Sequence, residues 1–305
     1  MKEIVTDLKN LELETLKNLK NSKSSNTLRA YSSDFKDFSV FCAKNNFSSL
    51  PTDPKILALY LTHLSQISKF STLKRRIASI SVVHKMKGHY IDTKHPLIIE
   101  NLLGIKRKNG SNQKAKKPIL INDLKKIIEV INQLKIKDIK KIRDKALILV
   151  GFAGGFRRSE LVNIDHSDVE FVREGVKIFV KRSKTDQSGE GMTKAIPSFN
   201  TTAYCPVLHL EQWMMYKELK RGKVFSLSDK SVALIVKKYA NLAGLDGDKY
   251  AGHSLRSGFA TSTAESGAEE RNIMAMTGHK TTQMVRRYIR EANLFKNNAL
   301  NKIKI

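Results

Sequence analysis

Fifteen residues, GIKRKNGSNQKAKKP (Gly104–Pro118), divide this chain. They are polar and lysine-rich, show no apolar period and end on a proline, which is the composition of a linker. A 305-residue chain interrupted in this way has room for two cores of ordinary size. The expected organisation is a helical domain over 1–108, a basic linker over 109–117, and a second domain over 118–305 whose tail begins at about residue 291.

The first portion reads as helices. SNTLRAYSSDFKDFSVFCAKN opens on Ser and Asn and places Leu28, Tyr31, Phe35, Phe38 and Phe41 near helical spacing. TDPKILALYLTHLSQI begins with Thr-Asp-Pro, a helix-entry signal. SKFSTLKRRIASISVVHKMKG starts at a Ser/Thr cap and ends at Gly88. Beyond the linker, Leu124, Ile127, Ile128, Ile131 and Leu134 define an amphipathic helix, with Asn122 or Asp123 as its expected cap. IRDKALILVGFAGGF is a buried helix that breaks at Gly154 and Gly155. VKIFVKRSK alternates and is β-branched, hence a strand; TDQSGEG is a turn and TKAIPS a return strand. Helices are expected again over 206–220, 231–243, 254–264 and 269–276. The fold class is mainly α, with one small antiparallel sheet in the second domain, and no 20–50-residue repeat is evident.

Charge narrows the partner. There are 55 Lys and Arg against 29 Asp and Glu, a formal net charge of +26. Residues 1–110 hold 19 basic and 9 acidic side chains, and the remainder 36 and 20, so both halves are basic. Each phosphate neutralised by Lys or Arg releases a condensed counterion, so a nucleic-acid partner fits this excess and a small neutral substrate does not. Lys74, Arg75 and Arg76, together in the first turns of one helix, are candidate contacts to the DNA backbone; the other reading is a solvated helix face. Two distant cysteines, Cys42 and Cys205, without metal-ligand spacing, suit a reducing compartment. No apolar run approaches a bilayer span of about 20 residues, and the amphipathic, acid-containing N-terminus resembles no signal peptide. A cytoplasmic, nucleoid-associated protein without membrane contact is expected.

The chemistry must come from the chain itself. No G-x-x-x-x-G-K-[ST], G-x-S-x-G or H-E-x-x-H motif occurs, and no Asp/Glu set suggests a two-metal nuclease. Neither metal nor cofactor is expected. A DNA enzyme of that kind stabilises its transition state with its own cations and supplies its own nucleophile. GGFRRSELVNI places Arg157 at the mouth of a helix, where it forks onto a phosphate or pairs with Glu160. AGHSLRSGFAT puts His253 and Arg256 on one helical face. TGHK supplies His279 after a glycine turn. Lys184, at the tip of the expected hairpin, is placed to protonate a leaving oxygen, with Lys181 as its rival on the strand. In MTGHKTTQMVRRYIR, Tyr288 is crowded by Arg286, Arg287 and Arg290.

Read in order, GGFRRSEL, HSLRSGFAT, MTGH and Tyr288 resemble the catalytic segments of the tyrosine recombinases, the phage-integrase group that includes Cre and the Xer recombinases. His253 and His279 are 26 residues apart and Tyr288 follows nine later, gaps usual in that family. The resemblance covers about residues 22–290. It implies a SAM-like helical core-binding domain followed by a catalytic domain, and a site-specific recombinase that integrates, excises or resolves DNA without metal or ATP. By it, Arg157 and Arg256 clamp the scissile phosphate and His253 assists proton transfer. His279 hydrogen-bonds a non-bridging oxygen, Lys184 is the general acid and Tyr288 the nucleophile that forms a 3′-phosphotyrosine bond. Ser257 stands where many members carry a second His, and Phe156 where Leu is common. Arg286 and Arg287 are then DNA-backbone contacts or helix-surface charges. The family acts as a tetramer on two duplexes. The apolar tail with Leu294, Phe295, Leu300, Ile303 and Ile305 packs on a neighbour or on its own domain. A type IB topoisomerase-like relaxase and a non-catalytic DNA-binding regulator are the competing functions.

Overall fold

The computed structural model describes all residues except 1–6, 111–115, 182–189, 293–300, 302, 304 and 305. It contains two compact units, Met1–Lys114 and Ala115–Ile305.

The first unit is helical: α1 (Leu8–Asn21), α2 (Ser25–Lys44), α3 (Pro54–Ser65), α4 (Phe70–Met86) and α5 (Pro96–Asn109). Ser24 accepts from the Thr27 N–H at the start of α2, and Asp53 accepts from the Lys55 N–H ahead of Pro54 in α3, so both expected entries are capped. Phe38, Cys42, Leu57, Tyr60, Leu61, Leu73, Ile80 and Ile98 form the core. The expected linker start, Gly104–Lys108, is instead the last turns of α5. Ile98, Leu102 and Ile105 form one buried stripe, and Lys106, Arg107 and Lys108 complement the negative end of the helix dipole.

The second unit comprises α6 (Ile121–Gln133), α7 (Asp138–Ala153), α8 (Arg158–Asn163), β1 (Val169–Val172), β2 (Gly175–Val180), β3 (Met192–Pro197), α9 (Pro206–Tyr216), α10 (Asp229–Leu242), α11 (His253–Glu265), α12 (Glu270–Thr277) and α13 (Thr282–Ala292). The three strands form one antiparallel sheet in the order β1-β2-β3. Ile178 pairs with Lys194 and Val176 with Ile196, and all four face inward. The helix expected over the 121–134 stretch is present. Its N-cap is Leu120, without a side-chain cap, rather than Asn122 or Asp123. The turn over TDQSGEG lies largely outside the described residues. Trp213 is buried in the main cluster with Leu147, Val150, Phe156 and Leu161. α11 is seated against the segment that leads into α6: the Ile119 N–H donates to Ser254 O at 3.0 Å. A Cβ at Gly258 would stand 2.0 Å from Ile119 O, so only glycine admits this approach.

Candidate active site

The end of α7 organises the site. Gly154 caps the helix and Gly155 takes φ +54°, a conformation open to glycine at no steric cost. The last carbonyls of a helix lack partners within it and lie at the negative end of its dipole. Two buried cations occupy that end. Arg256, on α11 and 1% exposed, donates from Nη1 to Gly155 O at 2.9 Å. Lys194, on β3 and 0% exposed, donates from Nζ to Gly154 O at 2.7 Å.

Two residues on, Arg157 is the N-cap of α8. Its backbone N–H donates to Glu160 Oε2 at 2.9 Å, and Nη1 forms an ion pair with Glu160 Oε1. The pairing with Glu160 open from sequence is therefore made, and it aims the guanidinium from a rigid helix start.

His279 follows Gly278, which closes α12 at φ +64° and donates its N–H to Met274 O at 2.7 Å. The imidazole is 7% exposed. Its tautomer follows from its neighbours. The Thr277 hydroxyl donates to Ile273 O at 2.6 Å, so its oxygen accepts from His279 Nδ1–H at 2.7 Å. Arg256 Nη2 lies 3.1 Å from His279 Nε2, and a guanidinium has only donors. His279 is therefore neutral, with the Nε2 lone pair facing Arg256. Burial, then Arg256 and Arg157, push its pKa down to about 4.

Tyr288 lies on α13, its ring packed beside Ala260, Ala264, Ile273 and Val285. Its hydroxyl is 3.4 Å from His253 Nε2, and its ring centroid is 6.0 Å from that of His279. His253 is exposed by area. Enough protein surrounds the ring for desolvation to depress its pKa, and Arg256, Arg157, Arg158 and Arg287 act in the same direction. Burial, then Arg157, lowers the Arg256 pKa to about 10, with Glu160 and Tyr288 opposing. It remains a cation at neutral pH.

Five of the six expected site residues, Arg157, His253, Arg256, His279 and Tyr288, are thus brought together across four helices and their turns. Lys184 lies outside the described residues. Its rival Lys181 is paired with Asp168 at 2.7 Å. Among the expected DNA contacts, Lys74 is exposed with Nζ 5.4 Å from the Phe70 ring centroid. Arg75 and Arg76 both pair with buried Asp34 on α2, and Arg76 also reaches Asp37 at 3.1 Å. These pairings give the two arginines a role in holding α4 to α2. Arg286 and Arg287 are exposed on α13, and Arg286 reaches Glu270 at 3.3 Å. Sequence reasoning missed Lys194. The alternation in MTKAIP was its signal, since Lys194 shares the inward face with Ile196.

Residues 119–294 match the phage integrase family. An integrase/recombinase XerD homolog of Selenomonas ruminantium is 41% identical over 291 residues, covering 90% of this chain and 84% of that protein. The chain belongs to the phage integrase family. Tyrosine recombinase XerC of Syntrophus aciditrophicus is a more distant relative, 24% identical over 279 residues, covering 85% of this chain and 84% of that protein. The fold agrees with that of solved recombinases. The XerH recombinase in a post-cleavage complex with palindromic difH substrate gives a TM-score of 0.61 at 18% identity, covering 81% of this chain and 73% of that one. A lambda integrase (75–356) dimer bound to a COC′ core site gives 0.60 at 20% identity, covering 96% and 98%. This phage-integrase-family protein is an enzyme that breaks and rejoins DNA strands.

Proposed function

We propose that Tyr288 is the nucleophile of this recombinase and that Arg157 and Arg256 clamp the phosphodiester it attacks. One observation supports the reading most strongly. Arg157 caps α8 directly after the α7 turn whose Gly155 carbonyl Arg256 contacts at 2.9 Å, and the two cations repel each other there, Arg157 lowering the Arg256 pKa. Holding two cations close together in a partly desolvated site is costly, and an entering phosphate offsets that cost. The phenol stands at the same site.

In this mechanism the Tyr288 oxygen bonds to phosphorus as the bond to the 5′ oxygen breaks, leaving a 3′-phosphotyrosine link. A phenol has a pKa of about 10 and attacks poorly while protonated. His253 is neutral at pH 7 and its Nε2 is near the hydroxyl, so it takes that proton. Lys184 returns a proton to the departing 5′ oxygen. The phosphotyrosine link conserves the bond energy, so a 5′-hydroxyl from a second duplex restores the backbone without ATP. His279 must gain a proton at Nε2 before it donates to a phosphate oxygen, because that nitrogen accepts from Arg256. The same reading assigns four copies to two duplexes. Native mass measurement with DNA tests that stoichiometry.

A nicked suicide site, from which the released 5′ end diffuses away, tests the chemistry. The wild type should leave a protein–DNA adduct on a denaturing gel. Arg157→Ala and Arg256→Ala should abolish the adduct while binding stays within about tenfold, since many other cations share the affinity. Loss of binding with either substitution would make these arginines anchors rather than clamps. Binding of the cognate site by the wild type without an adduct would favour the regulator reading.

A further inference from the structure

Lys194 takes no part in the reaction just described, yet its ammonium is fully buried beside the reacting groups. It occupies an inward position of β3 opposite Ile178, where an aliphatic residue is the expected occupant. An ammonium carries three protons. Gly154 O and Met276 O, each at 2.7 Å, take two. Gly155 O at 3.5 Å and the Glu160 carboxylate at 3.8 Å lie farther off. The Phe156 ring centroid lies 4.5 Å from Nζ.

The two close carbonyls have matching places in the chain. Gly154 stands three residues ahead of Arg157, and Met276 three ahead of His279. One belongs to the turn that ends α7 and the other to the last turn of α12. These two helices share a neighbour in α11, which carries Arg256.

We propose that Lys194 is a positioning residue for strand cleavage, its ammonium tying the turn that carries Arg157 to the turn that carries His279. It thereby fixes the separation of two groups that meet the phosphate. The inference rests on the assignment of Arg157 and His279 as phosphate ligands. Burial lowers the Lys194 pKa first, Glu160 raises it, and Arg256 and Arg157 lower it again, to about 7. The two carbonyls at 2.7 Å need a donor between them, so an aliphatic side chain cannot take over the tie.

The test is single-turnover cleavage of the nicked suicide site by Lys194→Met at saturating protein, well below its unfolding temperature. Amplitude reports the folded, bound fraction, and the rate constant reports the assembled site. The rate constant should fall about 100-fold, the scale on which an ångström of misplacement acts, with affinity within about 3-fold of wild type. Lys194→Arg keeps charge and donors and should recover at least about tenfold over Lys194→Met. A rate constant within about 3-fold of wild type, with only amplitude or unfolding temperature reduced, would make Lys194 merely structural and overturn the proposal. Affinity lost more than about tenfold at an unchanged rate constant would make it a DNA anchor and overturn it equally. Should Lys194→Met not fold, Lys194→Gln is read by the same criteria. Failure of the underlying assignment looks different: Arg157→Ala would then cleave normally, whatever Lys194→Met does.

Discussion

Lowering the pH from 7 to 5 should weaken the second unit through His279 alone by about 2 kcal/mol. The folded value near 4 lies below the ordinary value of 6.5, so the unfolded chain binds the proton first. The contribution is complete above pH 6.5 and is lost as the pH falls toward 4. Over the window from 7 to 5, that linkage integrates to about 2 kcal/mol. The one tryptophan, Trp213, is buried in the second unit, so its fluorescence in urea follows that unit. Wild type and His279→Asn are unfolded at both pH values, and the difference of differences isolates His279, because His253 titrates in the same direction in both proteins. The wild type should lose about 2 kcal/mol more than the variant between pH 7 and pH 5. Equal losses would mean that His279 is already charged or solvated, and the hydrogen bond assigned from Arg256 to its Nε2 would be wrong.

Other outcomes follow from the same geometry. Lys74→Ala should lower the slope of log affinity against log salt by about 0.9, the share of one phosphate contact, with the fold intact. Arg76→Ala should instead lower stability, by about 2 kcal/mol, because buried Asp34 keeps Arg75 and Ser79 but loses a charged partner, as does half-exposed Asp37. Gly258→Ala should cost about 2 kcal/mol or more, since its methyl meets a backbone carbonyl that cannot rotate away; urea unfolding followed at Trp213 measures it. Cleavage should proceed at the same rate in EDTA, measured on the nicked site, because the mechanism assigns every charge to side chains.

Much of the molecule was legible because its signals are local. The apolar stripe of α6, the Asp53-Pro54 entry of α3 and the glycine break after α7 are each encoded within a few residues. So is the spacing of the site motifs, which led to Arg157, His253, Arg256, His279 and Tyr288. What stayed hidden depends on distant partners. β1 is four residues long, with its two middle residues exposed, and shows no clean alternation until β2 pairs with it. Arg75 and Arg76 look like a free basic cluster until Asp34, some forty residues earlier, folds against them. Lys194 reads as one more lysine in a basic chain. Only the register of β3 turns it inward, and only the ends of α7 and α12 make its burial tolerable. The tautomer of His279 likewise needs Thr277 and Arg256 at the same time.

The central claim is that one phenolic oxygen becomes covalently bonded to DNA. Mass spectrometry of the trapped adduct, after nuclease and trypsin digestion, addresses it most directly. Cleavage after Arg287 and Arg290 isolates Tyr288 on a three-residue peptide. That peptide should carry a nucleotide through its tyrosine, and Tyr288→Phe should yield none. A nucleotide on any other residue, or an undiminished adduct from Tyr288→Phe, would contradict the account.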